Sequence, residues 1–255
     1  MFKHTMLVIV GGAMALGGCS TEDPLAEQHE IIDNLVQAGY PRGDIEIFNN
    51  AVYVQKDAHV TLEASREMLE TSGTDEQYRT NNLVNGGAVI CVNPTSQYAG
   101  SSLHMQGLNL AIENYNQQNL TIRFVLGPSS GCNANITARL SGGTGGSSGF
   151  PSGGKPYTEI NIGRQIKNYG VDVLEHVITH ELGHCVGFRH SDYYDRSISC
   201  GGSPSNEGDA GIGAILIAGT PATAVRGGSV MNACYRTTET GEWSSTDITA
   251  LNALY

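Results

Sequence analysis

Three of the eight histidines in the 255-residue chain fall within the eleven residues "HELGHCVGFRH", at positions 180, 184 and 190. This spacing constrains the fold more than any other feature. Val173, Leu174, Val177, Ile178 and Leu182 repeat at helical intervals, so the first part of the stretch is a helix and His180 and His184 project from one side of it, about a turn apart. Two imidazoles placed that way can share one metal ion, whereas a straight helix carries the next residues away from it. The helix must therefore break. Gly187 is where a left-handed residue ends it, and the chain then swings back to deliver His190 as the third ligand. Glu181 sits beside the first histidine without being forced into the coordination shell, where it can take a proton from a water. Three histidines leave a position for that water, while a structural zinc site closes with four protein ligands, so the pattern points to catalysis with Zn2+.

The remaining histidines add little. His176 lies a turn before His180, on the far side of a metal that must also be reached by His190, and is set aside as a fourth ligand. His29, His59 and His104 belong to no cluster.

Outside the motif, a formal net charge of -11 excludes a nucleic-acid partner, because no basic stripe is present to displace counterions from phosphates. The opening "MFKHTMLVIVGGAMALGGCS" has a basic start, an apolar run too short to span a bilayer, and small residues before a cysteine. Residues 1–18 are expected to be a signal peptide. "LGGCS" resembles the lipobox of bacterial lipoproteins, which would make Cys19 a lipidated membrane anchor, and "STED" after it resembles the export tag of surface lipoproteins. The protein is then an exported outer-membrane or cell-surface lipoprotein, or is released after processing. Soluble secretion with a cut nearby is the competing reading. Cys91, Cys132, Cys185, Cys200 and Cys234 are an odd number, so in an oxidising compartment at least one is unpaired; their pairing is not readable, and all could be buried thiols.

The chain changes texture near residue 80. Residues 19–79 contain helical patterns in "AEQHEIIDNLVQAGY" and "TLEASREMLE" around a hairpin pattern, "DIEIFNNAVYVQ", and end in a polar connector. From residue 80 to 255, strands and helices alternate through "GAVICV", "SSLHMQGLNLAIENYN", "LTIRFVLG", "ANITARL" and "YTEINIG" to the histidine helix. A loop-rich region and the helix "STDITALNALY" close the chain. The Gly/Ser-rich loop "SGGTGGSSGFPSGG" lacks the Lys-Ser/Thr ending of a phosphate cradle.

"HELGHCVGFRH" resembles the zinc signature of the metzincin metallopeptidases, and "GSVMNAC" supplies the methionine, Met231, of their Met-turn. With "SGFPSGGKPY" and the ending "DITALNALY", the chain is similar to the bacterial dual-action metallopeptidases named for a HEIGH motif. The resemblance implies an α/β (α+β) fold: a metzincin-like twisted mixed sheet, mostly parallel with an antiparallel edge strand, an active-site helix and an irregular C-terminal subdomain with the Met-turn. It implies a zinc endopeptidase acting as a monomer on protein or peptide substrates, with His180, His184 and His190 on the metal and Glu181 as general base. An edge strand within Ser147 to Ser152 would align the substrate backbone. Astacin-like members place a tyrosine two residues after the methionine, but position 233 here is alanine; Tyr235 is the nearest in that direction, and Tyr193 and Tyr194 either face the cleft or pack. The N-terminal unit is then a prosegment. Asp57 in "YVQKDAHV" loosely resembles the F-x-G-D switch of astacin-like zymogens, with Lys56 in place of the glycine; an ordinary solvated turn aspartate is the competing reading. A non-cutting zinc lipoprotein that binds peptides or glycans, and a hydrolase of other substrates, are the alternatives to a peptidase.

Overall fold

In the computed structural model, residues 24–38, 40–54, 56–67, 69, 77–208, 214–221 and 223–255 are described; the expected signal peptide, residues 1–18, and Cys19 lie outside them. The N-terminal unit opens with helix α1 (Pro24–Gln37), which buries Ile31, Ile32 and Leu35. Strands β1 (Glu46–Phe48) and β2 (Ala51–Val54) form a hairpin. Its turn is Asn49-Asn50, both at positive φ (48° and 67°), the backbone that suits a two-residue hairpin loop and that asparagine tolerates. Strand β3 (Ala58–Val60) pairs back on β2, and helix α2 (Leu62–Glu67) follows.

The second part begins with a short strand, β4 (Tyr78–Arg79), and the apolar strand β5 (Val89–Pro94). Helices α3 (Ser96–Ala99) and α4 (Ser102–Asn116) lead to strands β6 (Arg123–Leu126), β7 (Ala134–Ser141), β8 (Gly146–Gly149) and β9 (Glu159–Gly163). The histidine helix α5 (Val171–Cys185), a short α6 (Ser197–Cys200), strand β10 (Ile215–Leu216) and the final helix α7 (Ser245–Leu254) complete the order. No helix among the described residues is long and apolar enough to cross a membrane.

Eight strands form one mixed sheet in the order β1-β2-β3-β8-β9-β7-β5-β6. β6, β5, β7 and β9 are mutually parallel, and β8 runs antiparallel to β9. β5 lies inside the parallel part, which explains its uninterrupted buried run Ile90-Cys91-Val92. The main core lies between these strands and helices α4 and α5, with Leu108, Ile136, Ile160, Ile162, Leu174 and Ile178 fully buried.

One finding departs from the sequence reading. β8 is not a free edge: β3 pairs with it in parallel register, Ala58 to Ser148 and His59 to Gly149, so the N-terminal unit extends the sheet of the second part. The two units also share packing, because Phe150 is buried in the N-terminal core. As the odd count of five cysteines beyond Cys19 requires, one is unpaired: four pair as Cys91–Cys132 and Cys200–Cys234, and Cys185 stays a buried thiol. With sequence separations of 41 and 34, each bridge contributes roughly 3–4 kcal/mol by restricting the unfolded chain.

Candidate metal centre

Helix α5 places His180 and His184 one above the other, and Gly187, at φ +109°, reverses the chain after it. A side chain there would strike the carbonyl of Asn82, which a Cβ would approach to 2.7 Å. The reversal brings the buried His190 ring to the same point. The Nε2 atom of His180 lies 3.0 Å from that of His184 and 3.2 Å from that of His190. The Nδ1 atoms face away: His180 donates to the Val230 carbonyl at 2.8 Å and His184 to the Phe188 carbonyl at 2.7 Å. His190 donates to the Glu207 carboxylate at 2.9 Å. These oxygens only accept, so each Nδ1 carries a proton and the three Nε2 atoms are turned toward the common point. Nitrogens this close need a positive charge at their focus, which a metal ion supplies when bound and the His190 proton supplies without it.

Asp57 completes the cluster. It stands in the turn between β2 and β3, with Oδ2 3.2 Å from His190 Nε2 and Oδ1 3.8 Å from His184 Nε2. Oδ1 is buried with no hydrogen-bond partner among the described residues. Ligand atoms of Asp57, His180, His184 and His190 all lie within 4.8 Å of one another. Three imidazoles and a carboxylate form a four-coordinate donor set suited to zinc. Lys56, before the aspartate, adopts φ +73°, a conformation that favours glycine and costs another residue about 1 kcal/mol.

The electrostatics agree with a metal site. Burial holds His180 far below the usual imidazole range, with the neighbouring His184 and His190 adding to the effect. Burial also takes His184 to about 4, so both rings are neutral. His190 behaves oppositely: burial works against its charge, but the carboxylates of Asp57 and Glu207 outweigh burial and raise it to about 10. Burial likewise opposes charge on Asp57, yet His190 keeps that carboxyl below the ordinary carboxylate range. Without metal the two form an ion pair, and a metal ion takes the place of the His190 proton.

Glu181 lies outside the four-ligand cluster and beside it. Its Oε2 accepts from Ser148 Oγ at 2.8 Å. β8 reaches it because residue 146 is glycine; a Cβ there would sit 2.2 Å from Glu181 Oε1. Burial, helped by the negative Asp57 nearby, raises its pKa well above the usual value, and the Ser148 bond offsets only part of this. Met231 is buried below, in the turn whose Val230 carbonyl holds His180. Its sulfur occupies the space a side chain at Gly183 would need. Asp247 fixes that turn by accepting from Val230 N at 3.0 Å and Ser229 Oγ at 2.5 Å, while also closing the N-terminal capping box of α7. Cys200–Cys234 and Asp192, which accepts from Ala233 N at 2.8 Å, tie the loop after His190 to the same turn.

The tyrosines pack instead of reaching the metal ligands. Tyr193 stacks edge-on against Tyr78, the Tyr194 hydroxyl accepts from Ala224 N, and Tyr235 donates to the Thr144 carbonyl. Glu207 and Ser148 carry no signal in the sequence. Glu207 lies in an irregular loop seventeen residues beyond the histidine it holds, where Arg196 also pairs with it. Such partners orient a ligand and raise its basicity. Glu207→Gln should therefore weaken zinc binding by about 10–100-fold, measured by competition with a chromogenic chelator; unchanged affinity would show that His190 is oriented without it.

The family model described as dual-action HEIGH metallo-peptidase matches residues 52–255. The chain belongs to that family. The matched region starts within the N-terminal hairpin, so in this HEIGH metallo-peptidase it takes in Asp57 as well as the histidine helix and Met231. Among solved structures, high choriolytic enzyme 1, a hatching-enzyme zinc-protease from Oryzias latipes (Medaka fish), is similar at 20% identity, over 69% of this chain and 93% of that one, with a TM-score of 0.43. Myroilysin is similar at 15% identity, over 73% and 92%, with a TM-score of 0.42. No curated protein matches the chain significantly. The protein is a zinc metallopeptidase with a mixed α/β fold, and its substrates are proteins or peptides.

Proposed function

We propose that the chain is an exported zinc endopeptidase that uses Glu181 as general base and is held latent by its own N-terminal unit. The observation that carries the reading is the placement of Asp57 against three convergent histidines, with Glu181 alongside. His180, His184 and His190 would hold the zinc. Zinc, when bound, polarises a carbonyl and makes a water acidic at neutral pH. Glu181 takes the proton of the attacking water and passes it to the leaving amine, while Ser148 holds its carboxylate in place. Val230, Phe188 and Glu207 keep the three rings aimed at one point. The β8 backbone, now paired with β3, becomes the strand to which a substrate adds.

Latency has two parts in this reading. Asp57 takes the position a water needs, and burial of Glu181, with the Asp57 charge adding to it, keeps that carboxyl protonated and unable to act as a base. β3 covers the edge of β8, with Ser148 N donating to the Asp57 carbonyl at 2.9 Å. Residues 77–80 belong to the enzyme side: Ile217 N donates to the Gln77 carbonyl at 2.6 Å, and Thr80 N to that of Gly187 at 2.8 Å. The activating cut is therefore expected before Gln77.

The two disulfides support export, since such bridges persist in oxidising compartments. Cys19 as a lipid anchor at the outer membrane or cell surface rests on the sequence pattern. Cys19→Ser should move the protein from the membrane fraction to the soluble exported fraction; unchanged fractionation would remove the anchor. Against the alternative of a silent binding lipoprotein stands Glu181, a base that binding alone does not need. The test is hydrolysis of casein by proteolytically trimmed chain. Activity abolished by a chelator and restored by zinc is expected, and zinc-loaded, trimmed protein that cuts nothing would refute the peptidase reading.

A further inference from the structure

A cavity of about 150 Å³ adjoins the metal centre, and both His180 and Glu181 line it. Gly145 and Gly146 of the β8 side, Tyr235 and His176 are among its other walls, and Lys56 and Asp57 contribute to it from the N-terminal unit. Any side chain seated there lies next to the reacting bond.

His176 distinguishes this cavity from an apolar slot. It sits on α5 four residues before His180, on the same side of the helix, and only 4% of its surface is exposed. Its Nε2 is buried with no hydrogen-bond partner among the described residues. It does not belong to the metal-ligand cluster. Burial keeps the ring neutral, lowering it to about 4, so it offers a hydrogen bond rather than a charge. A buried polar group left unpaired is unfavourable, and a bound ligand that pairs it is preferred over one of equal size that cannot.

On the peptidase reading above, we propose that His176 is a specificity-determining residue, its ring hydrogen-bonding the substrate side chain that enters this cavity and selecting a carboxamide, Asn or Gln, over an aliphatic residue. A carboxamide both donates and accepts, so it satisfies either tautomer of a neutral imidazole. Asparagine and leucine have nearly the same shape, so comparison of the two isolates the hydrogen bond. Withdrawal of Lys56 and Asp57 on activation opens the cavity to the substrate.

The test uses peptide pairs that differ only in Asn or Leu, placed in turn at each position flanking the cut. They are offered to zinc-loaded full chain activated by limited proteolysis, and to its His176→Leu variant. At one position the parent should show kcat/KM at least about tenfold higher for the Asn peptide. His176→Leu should lose that preference with zinc content unchanged, and His176→Gln should retain much of it. Should the leucine variant fail to fold, the parent's preference and the glutamine variant decide. Equal cleavage of both peptides at every position, or a preference for Leu, overturns the proposal and leaves the peptidase reading intact. A separate arm measures binding of the same pairs to the zinc-loaded, trimmed Glu181→Gln chain by calorimetry. There the same tenfold difference in Kd is expected whether or not the parent cuts, and equal affinities overturn the proposal.

Discussion

Glu181→Ala should retain one zinc per chain and lose peptide hydrolysis by at least about two orders of magnitude after trimming. The carboxylate stands outside the group formed by Asp57 and the three histidines, so its removal takes away no ligand. What is lost is the proton acceptor beside the metal, and the hydroxyl bonded to it, Ser148 Oγ, is too weak a base to replace it. The loss should fall on kcat, with KM changed little, because Glu181 acts on the water rather than holding the peptide. Near-normal turnover with zinc in place would remove Glu181 from the mechanism, whereas loss of zinc together with activity would make it a structural support of α5.

Asp57→Ala should have the opposite effect: uncleaved protein that is silent in the parent should hydrolyse peptides. Two changes act together. The position that the carboxylate takes among the histidines is freed for water, and Glu181 loses the negative neighbour that helps keep it protonated. The strand pairing of Ala58 and His59 with Ser148 and Gly149 remains, so activity should depend on local opening of β3 and stay below that of trimmed enzyme. A rise of at least about tenfold over the uncleaved parent is the expected size, since an open metal position is a precondition for the reaction. If the uncleaved variant is as silent as its parent while the trimmed domain is active, coverage of β8 is the whole of the latency and Asp57 contributes none of it.

The residues that converge on the metal were legible because their geometry is local. Helical spacing fixes His180 and His184 relative to each other, and a glycine at φ +109° fixes where the chain turns toward His190. The Asn49-Asn50 hairpin and the apolar strands were legible for the same reason. What stayed hidden depends on contacts between distant segments. β3 joins β8 across ninety residues of chain, and nothing in the alternation of either strand specifies that partner. Ser148 falls where an edge strand is expected, within Ser147 to Ser152, but its contact with Glu181, which Gly146 permits, leaves no trace in the Gly/Ser-rich sequence. Glu207 lies in irregular structure with no period to follow, and each disulfide joins a regular element to a distant loop, Cys91 of β5 to Cys132 and Cys200 of α6 to Cys234. Asp57 was visible only as a loose likeness with lysine where glycine is usual; Lys56 at φ +73° takes the backbone shape that a glycine would favour.

The central claim is a zinc ion held by three histidines with Asp57 as a fourth ligand in the uncleaved chain. Zinc K-edge absorption on the uncleaved protein and on Asp57→Ala tests it most directly. The parent should show three imidazoles and one carboxylate oxygen at about 2.0–2.2 Å, and no sulfur. The variant should keep the three imidazoles with water in place of the carboxylate, and so should the trimmed enzyme. Loss of an imidazole from the parent's shell, or zinc K-edge spectra that do not differ among the three proteins, would contradict the account.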